Sequence, residues 1–224
     1  MDLDNKLGLF FGLAVGDALG APLEFQKANE PHEYLKTFTT GGPHGVSVGE
    51  WTDDTSMALA LATSLIEKQT FDADDIMYKF CEWFKEGKFC TRSKCFDIGN
   101  TVYDALSSYA DSIKHNQLRQ PYRGRVAENT SGNGALMRIA PVIIVAGDKE
   151  EAVRLAIQQT LLTHGSELCV KYSLMFAEEL YNGKALSKYS KYKLPKDIER
   201  KNVMSGGFVK ETYEAAWWAF STTN

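Results

Sequence analysis

Two adjacent carboxylates set between hydroxyls, Thr52-Asp53-Asp54-Thr55 after Trp51, are the sharpest chemical signal in this chain. Their oxygens are hard donors, suited to magnesium or calcium rather than zinc. The same residues also suit a helix start, because Thr and Asp cap free N–H groups and acids favour the positive first turn. Taken alone, the tetrapeptide fits either role. Four further patterns place polar groups beside turns. The stretch Gly16-Asp17-Ala18-Leu19-Gly20-Ala21-Pro22-Leu23-Glu24 ends an apolar helix on one acid and delivers another past a tight turn. Asp17 there opposes the helix dipole, so a hydrogen-bonding or cationic partner is expected for it. Ser131-Gly132-Asn133-Gly134, running into Ala135-Leu136-Met137-Arg138, is a glycine-rich turn of the kind that offers N–H groups to an anion. It is not the dinucleotide fingerprint, since the spacing differs and no strand precedes it. Asp97-Ile98-Gly99-Asn100-Thr101 opens a helix and Thr163-His164-Gly165 closes one, and each alone reads as a cap.

The elements that must hold these groups are helical. Leu7, Phe10, Phe11, Ala14, Val15 and Leu19 recur at three- and four-residue spacing and predict a helix lying in a core. Residues 54–68 predict a second, with Met57, Leu61 and Leu65 on one stripe, and 72–85 a third opened by aspartates. Residues 100–110, 150–162, 167–181 and 209–220 continue the pattern, while alternating strand-like runs are short. The expected fold is all-α, a compact orthogonal multi-helix bundle with the ligand cleft between helices. No repeat or linker divides residues 1–224, so a single domain is expected. Glycine and proline turns at 20–22, 41–43, 130–134 and 205–207 lie beside helix ends, and 184–201 reads as a polar surface loop.

Charge and composition exclude several classes. A formal net charge of -4 provides no basic field for nucleic acid, and the basic runs at 188–193 and 200–201 read as solvated surface. The acidic N-terminus lacks the positive start of an export signal, and the apolar run 9–16 is too short to span a bilayer. Cys81, Cys90, Cys95 and Cys169 match no zinc or CxxC spacing, so free and mostly buried thiols in a cytoplasmic protein are expected.

Taken together and in order, these patterns resemble the ADP-ribosylglycohydrolase family. The matching stretches are GDALGAPLE (16–24), WTDDTSM (51–57), FDIGNT (96–101), SGNGALMRIAP (131–141), THG (163–165) and SGGFVKETYEAAWWAF (205–220). The resemblance implies an all-α hydrolase that removes ADP-ribose from modified side chains, arginine foremost, with two Mg2+ ions in a cleft between helices. By the same resemblance, Thr52, Asp53 and Asp54 are metal ligands, and Glu24 stands beside the metals as a catalytic acid. Asp54 joins Glu24 as a candidate base, and Asp97, the third catalytic residue, lines the ribose pocket with Asn100. Ser131, Gly132, Asn133 and Gly134 cradle the diphosphate, and His164 and Phe208 line the substrate cleft. The implied partner is an ADP-ribosylated protein or a small ADP-ribose conjugate, with neither nucleic acid nor membrane involved.

The family pattern also holds a Gly-x-Asp-x-Asp-Thr motif after the segment matching 205–220, and Asn224 precedes any such motif. The expectation is therefore a domain lacking its C-terminal metal-binding segment. It would be a piece of a longer enzyme, half of a split enzyme completed by another segment, or a catalytically deficient ADP-ribose-binding module.

Overall fold

The computed structural model describes residues 1–26, 36–115, 120–182 and 198–222. Within them the chain forms eight α-helices and no strand: α1 (Leu3–Gly20), α2 (Asp53–Lys68), α3 (Ala73–Glu86), α4 (Asn100–Lys114), α5 (Ala140–Val145), α6 (Lys149–Leu161), α7 (Glu167–Asn182) and α8 (Val209–Thr222). The all-α expectation holds. Aspartate side chains start three helices by accepting the third N–H of the first turn: Asp2 for α1, Asp72 for α3 and Asp148 for α6, at 2.8, 3.0 and 2.7 Å. At the other end, α3 stops on Gly87, whose φ of 70° is the left-handed conformation that closes helices cheaply only at glycine. A Cβ at Gly87 would also stand 2.5 Å from the Lys94 nitrogen. That close approach folds the segment after α3 back toward α4 and sets up Asp97.

The main core is built on the apolar stripe of α2. Met57, Leu61 and Leu65 pack with Ile76, Met77, Phe80 and Trp83 of α3, Leu106 and Tyr109 of α4, and Leu155 and Ala156 of α6. Into it fits α5, which the sequence reading does not find. Its Ala-Pro-Val-Ile-Ile-Val run has a strand-like, β-branched composition, but Pro141 is favoured in a first helical turn and Val142 and Ile143 are fully buried. Tertiary burial overrides local preference here. A second cluster joins Tyr172 of α7 to Val209, Tyr213 and Trp217 of α8. Tyr213 donates its hydroxyl to the buried Glu179 carboxylate at 2.8 Å, which fastens α8 to α7.

Three expectations need correction. Helix α1 does not lie in the core: Leu3, Leu7, Phe11 and Val15 are exposed, and Ala18 is its buried residue. Its apolar character also extends beyond residues 9–16. Leu3–Leu23 is long and apolar enough to cross a membrane, by length and composition only, at a mean hydropathy of 1.3. The Asp17 carboxylate it carries, however, is bound inside the protein. Of the cysteines, all free, Cys81 and Cys169 are buried while Cys90 and Cys95 are partly open. The expected surface loop at 184–201 and the basic run at 188–193 fall largely outside the described residues.

Candidate active site

The site is assembled at the start of α2, and Asp17 does the assembling. Thr52 makes no capping bond of its own. Instead Asp17, from the last turn of α1, accepts the Thr52 N–H at 3.0 Å, the Thr52 hydroxyl at 2.9 Å, the Thr55 N–H at 3.0 Å and the Thr55 hydroxyl at 2.6 Å. A carboxylate unfavourable to its own helix dipole thus sits at the positive end of another. This is the partner the sequence demanded for Asp17. Asp17→Ala strands those donors, and we expect it to cost about 1–3 kcal/mol, read as a lower urea midpoint, with Asp17→Asn milder.

The fastening crowds acids together. Asp53, 9% exposed, is held well above the usual carboxylate range by burial, then by Asp54, Asp97 and Asp17. Asp54, partly open, is pushed up to about 7 by burial and by Asp17, Asp97 and Glu24. Glu24 is raised by burial and by Asp97, with His44 partly opposing. A set of carboxylates that resist sharing negative charge is poised for cations.

His44 stands between two of these acids, Glu24 and Asp97. Its Nε2 lies 3.2 Å from Glu24 Oε2 and 3.4 Å from Asp97 Oδ2. That nitrogen is buried and has no hydrogen bond of acceptable geometry. Glu24, His44 and Asp97 each offer a donor atom within 4.8 Å of the others. Among the described residues, acidic and imidazole donors converge at these three. Thr52 spends its hydroxyl proton on Asp17, and Asp53 and Asp54 border the cluster. The hard oxygens of this cluster fit a divalent cation.

The glycine loop meets the acids at the start of α4. Asp97 precedes that helix, and the Thr101 hydroxyl donates to the Thr130 carbonyl at 3.2 Å. Asn100 is exposed beside them. A Cβ on Gly134 would stand 2.9 Å from Val102 and 3.0 Å from the His164 ring, so only glycine allows this approach. The segment before α8 clamps the loop from the other side. Gly132 bridges to Phe208, Asn133 N–H donates to the Gly207 carbonyl at 2.9 Å, and Val209 N–H donates to the Ser131 carbonyl at 2.9 Å.

The loop differs from its sequence reading in two respects. It runs into a turn rather than directly into a helix, and much of its polarity is spent internally. Gly132 N–H bonds the Thr130 carbonyl, Ser131 Oγ lies 2.7 Å from Ser166 Oγ, and the Asn133 amide donates to Thr212. Among the described residues, the N–H groups of Gly134 and Ala135 have no protein acceptor. His164, moreover, is 1% exposed and lies beneath Gly132 and Gly134, so in this structure it supports the loop instead of lining a cleft. Burial pushes its imidazole down to about 3, which keeps it neutral.

Beneath both halves lies Arg138, fully buried and unassigned by the sequence reading. It donates to the Gln159 side chain and carbonyl at 3.0 and 3.1 Å and to Thr163 Oγ1 at 2.7 Å, and its guanidinium stacks over Phe80. Thr163 Oγ1 is in turn 2.8 Å from His164 Nδ1. Since Thr163 accepts from Arg138, its own proton is free for Nδ1, which leaves the ring proton on Nε2 facing the loop. His44 was also missed. Its only sequence signal is a histidine between Gly42-Pro43 and Gly45, which reads as a turn.

The model of the ADP-ribosylglycohydrolase family matches residues 2–224. The chain is 33% identical over 240 residues to the ADP-ribosylarginine hydrolase Tri1 of Serratia proteamaculans, covering 99% of this chain and 63% of that protein. It is 36% identical over 169 residues to the ADP-ribosyl-(dinitrogen reductase) glycohydrolase of Rhodospirillum rubrum, covering 74% and 53%. A solved structure titled as an ADP-ribosylglycohydrolase-related protein complex superposes with a TM-score of 0.77 at 30% identity, over 99% of this chain and 76% of that one. The chain thus spans less than two thirds of the length of these curated relatives.

Proposed function

From the premise that this chain belongs to the ADP-ribosylglycohydrolase family, we propose that it is a cation-dependent hydrolase releasing ADP-ribose from modified arginine side chains. The observation that carries the reading is the meeting, at the start of α4, of a repelling acid cluster and a glycine loop. The names of the Serratia relative and of its Pseudomonas putida counterpart, both ADP-ribosylarginine hydrolases, support arginine as the target. Asp53, Asp54, Glu24 and Asp97, with the lone pairs of Thr52, would hold the metal, for which the oxygen-rich set favours Mg2+. When bound, such a cation polarises water and ribose hydroxyls.

The remaining chemistry belongs to the chain's own groups. Water adds to the anomeric carbon as its bond to the guanidine nitrogen breaks. One water proton goes to a carboxylate, and the leaving nitrogen gains a proton. Positive charge grows on the ribose, and the Asp97 carboxylate would offset it. Glu24 and Asp54 are the candidates to take the proton. Asn100 and Asp97 would bind ribose hydroxyls. The diphosphate would lie along 131–134, where the free N–H groups of Gly134 and Ala135 are the available donors, with Phe208 at its side.

The test is chromatographic. An arginine-ADP-ribosylated protein incubated with this chain and Mg2+ is expected to yield free ADP-ribose and unmodified arginine, and a chelator is expected to stop the release. ADP-ribose bound under chelation without any release in Mg2+ would replace the hydrolase with a binding module.

A further inference from the structure

Glu24 and Asp97 come from distant segments, and a third segment sets their spacing. It is the turn carrying His44. Paired 2.8 Å bonds between Gly41 and Val46 close that turn. Gly42, at φ 70°, seats it on the backbone of Pro22, where a Cβ would come within 2.7 Å of the carbonyl oxygen. That anchors the turn two residues before Glu24.

Arg92 anchors it on the other side. The guanidinium donates to the His44 carbonyl at 3.1 Å and the Gly45 carbonyl at 2.9 Å, while Glu50 accepts from it at 2.7 Å. Its face lies 4.1 Å from the centroid of Phe96, the residue before Asp97. Phe96 and Phe25 rings also flank the imidazole, at 6.0 and 6.1 Å between centroids. The ring is therefore placed by packing and by the clamp on its backbone. Its own Nε2, close to two carboxylates, is not held by a hydrogen bond to either.

We propose that His44, clamped by Arg92, is a positioning residue that fixes the separation of Glu24 and Asp97 at the site. The inference deepens the hydrolase reading and rests on it. An imidazole wedge keeps the two acids from closing on each other or swinging into solvent, which holds them where a ribosyl group must meet them. Displacement of such groups by about 1 Å is enough to cost roughly a hundredfold in rate.

The test compares His44→Ala, His44→Gln and Arg92→Lys in the full chain. Gln restores bulk and a polar end near the Nε2 position, whereas Lys cannot reproduce the guanidinium fork. In hydrogen exchange, amides at 23–26 and 95–98 are expected to exchange about tenfold faster in His44→Ala and Arg92→Lys, but near the parent rate in His44→Gln. In steady-state hydrolysis with Mg2+, His44→Ala is expected to lower kcat about 10- to 100-fold with KM within about threefold, and Gln to recover most of the loss. Unchanged exchange in His44→Ala overturns the proposal. So does an equal loss of stability in the Ala and Gln variants with kcat untouched, because that is a packing role only. If the parent chain releases no ADP-ribose, the hydrolase reading fails separately, and the exchange comparison alone decides whether His44 sets the pair.

Discussion

Replacing Asp53 by Asn is expected to lower ADP-ribose release by about 10²–10⁴-fold while raising the melting temperature of the cation-free protein. The two effects have one cause. Asp53 is buried among Asp54, Asp97 and Asp17, and every one of those neighbours opposes its charge. Asparagine keeps the shape and removes the charge, so the fold should relax and the proposed cation would lose a ligand. In a chain of this size each 1 kcal/mol of relief appears as about 2–4 °C.

The pH dependence carries the same sign. Asp54 titrates near 7 in the fold and near 3.9 when unfolded. A carboxyl raised on folding contributes stability that is complete below its unfolded pKa and is lost as pH rises through the folded one. The cation-free protein should therefore melt higher at pH 5 than at pH 7.5, with a smaller difference in Asp53→Asn. Saturating Mg2+ should shrink the difference in the parent chain, since the cation favours the charged carboxylates. A melting temperature that falls in the variant, or a flat pH profile in chelator, would contradict the electrostatic account.

Arg138→Ala is expected to give the largest loss of stability, about 3–5 kcal/mol by urea unfolding. The guanidinium is fully buried and touches Gln159, Thr163, Met57 and Phe80 at once. Burial lowers its pKa to about 9 even though nearby Asp53 opposes the shift. Alanine leaves a cavity, strands Gln159 Oε1 and removes the donor to Thr163 Oγ1. Arg138→Met fills most of the space and should lose less, about 1–3 kcal/mol, from the missing bonds. Both variants should weaken ADP-ribose binding more than stability alone explains. The path runs through Thr163 and His164 to the underside of Gly132 and Gly134. Equal ADP-ribose affinity in folded Arg138→Met and parent protein would break that link.

Much of this fold was legible because its signals are local. The Met57, Leu61 and Leu65 stripe, the aspartates before α3 and α6, and the periodic residues of α7 and α8 each state a helix within a few turns. What was not legible depends on partners distant in the chain. The β-branched run of α5 becomes helical because the surrounding core buries it. The periodicity of α1 shows one apolar face but not what covers it, and Leu3, Leu7 and Phe11 stand in solvent.

The site divides the same way. Asp53, Asp54, Glu24 and Asp97 could be read from residue type and from resemblance, and the structure gathers them. Asp17 announced only that it needed a partner, and nothing in its neighbourhood pointed to Thr52 and Thr55. His44 hid in a glycine turn, since its meaning comes from two carboxylates on other segments. For His164, the motif marked an important residue but could not say which way it faced. Burial beneath the loop decides that.

The most direct measurement is calorimetric titration of Mg2+ into the chelator-treated protein, repeated with Asp53→Asn. The predicted result is saturable binding in the parent chain that releases protons near pH 7, as the raised carboxyls ionise, and that is lost in the variant. Binding of equal strength in both proteins, or none in the parent, would contradict a cation centre built on these acids.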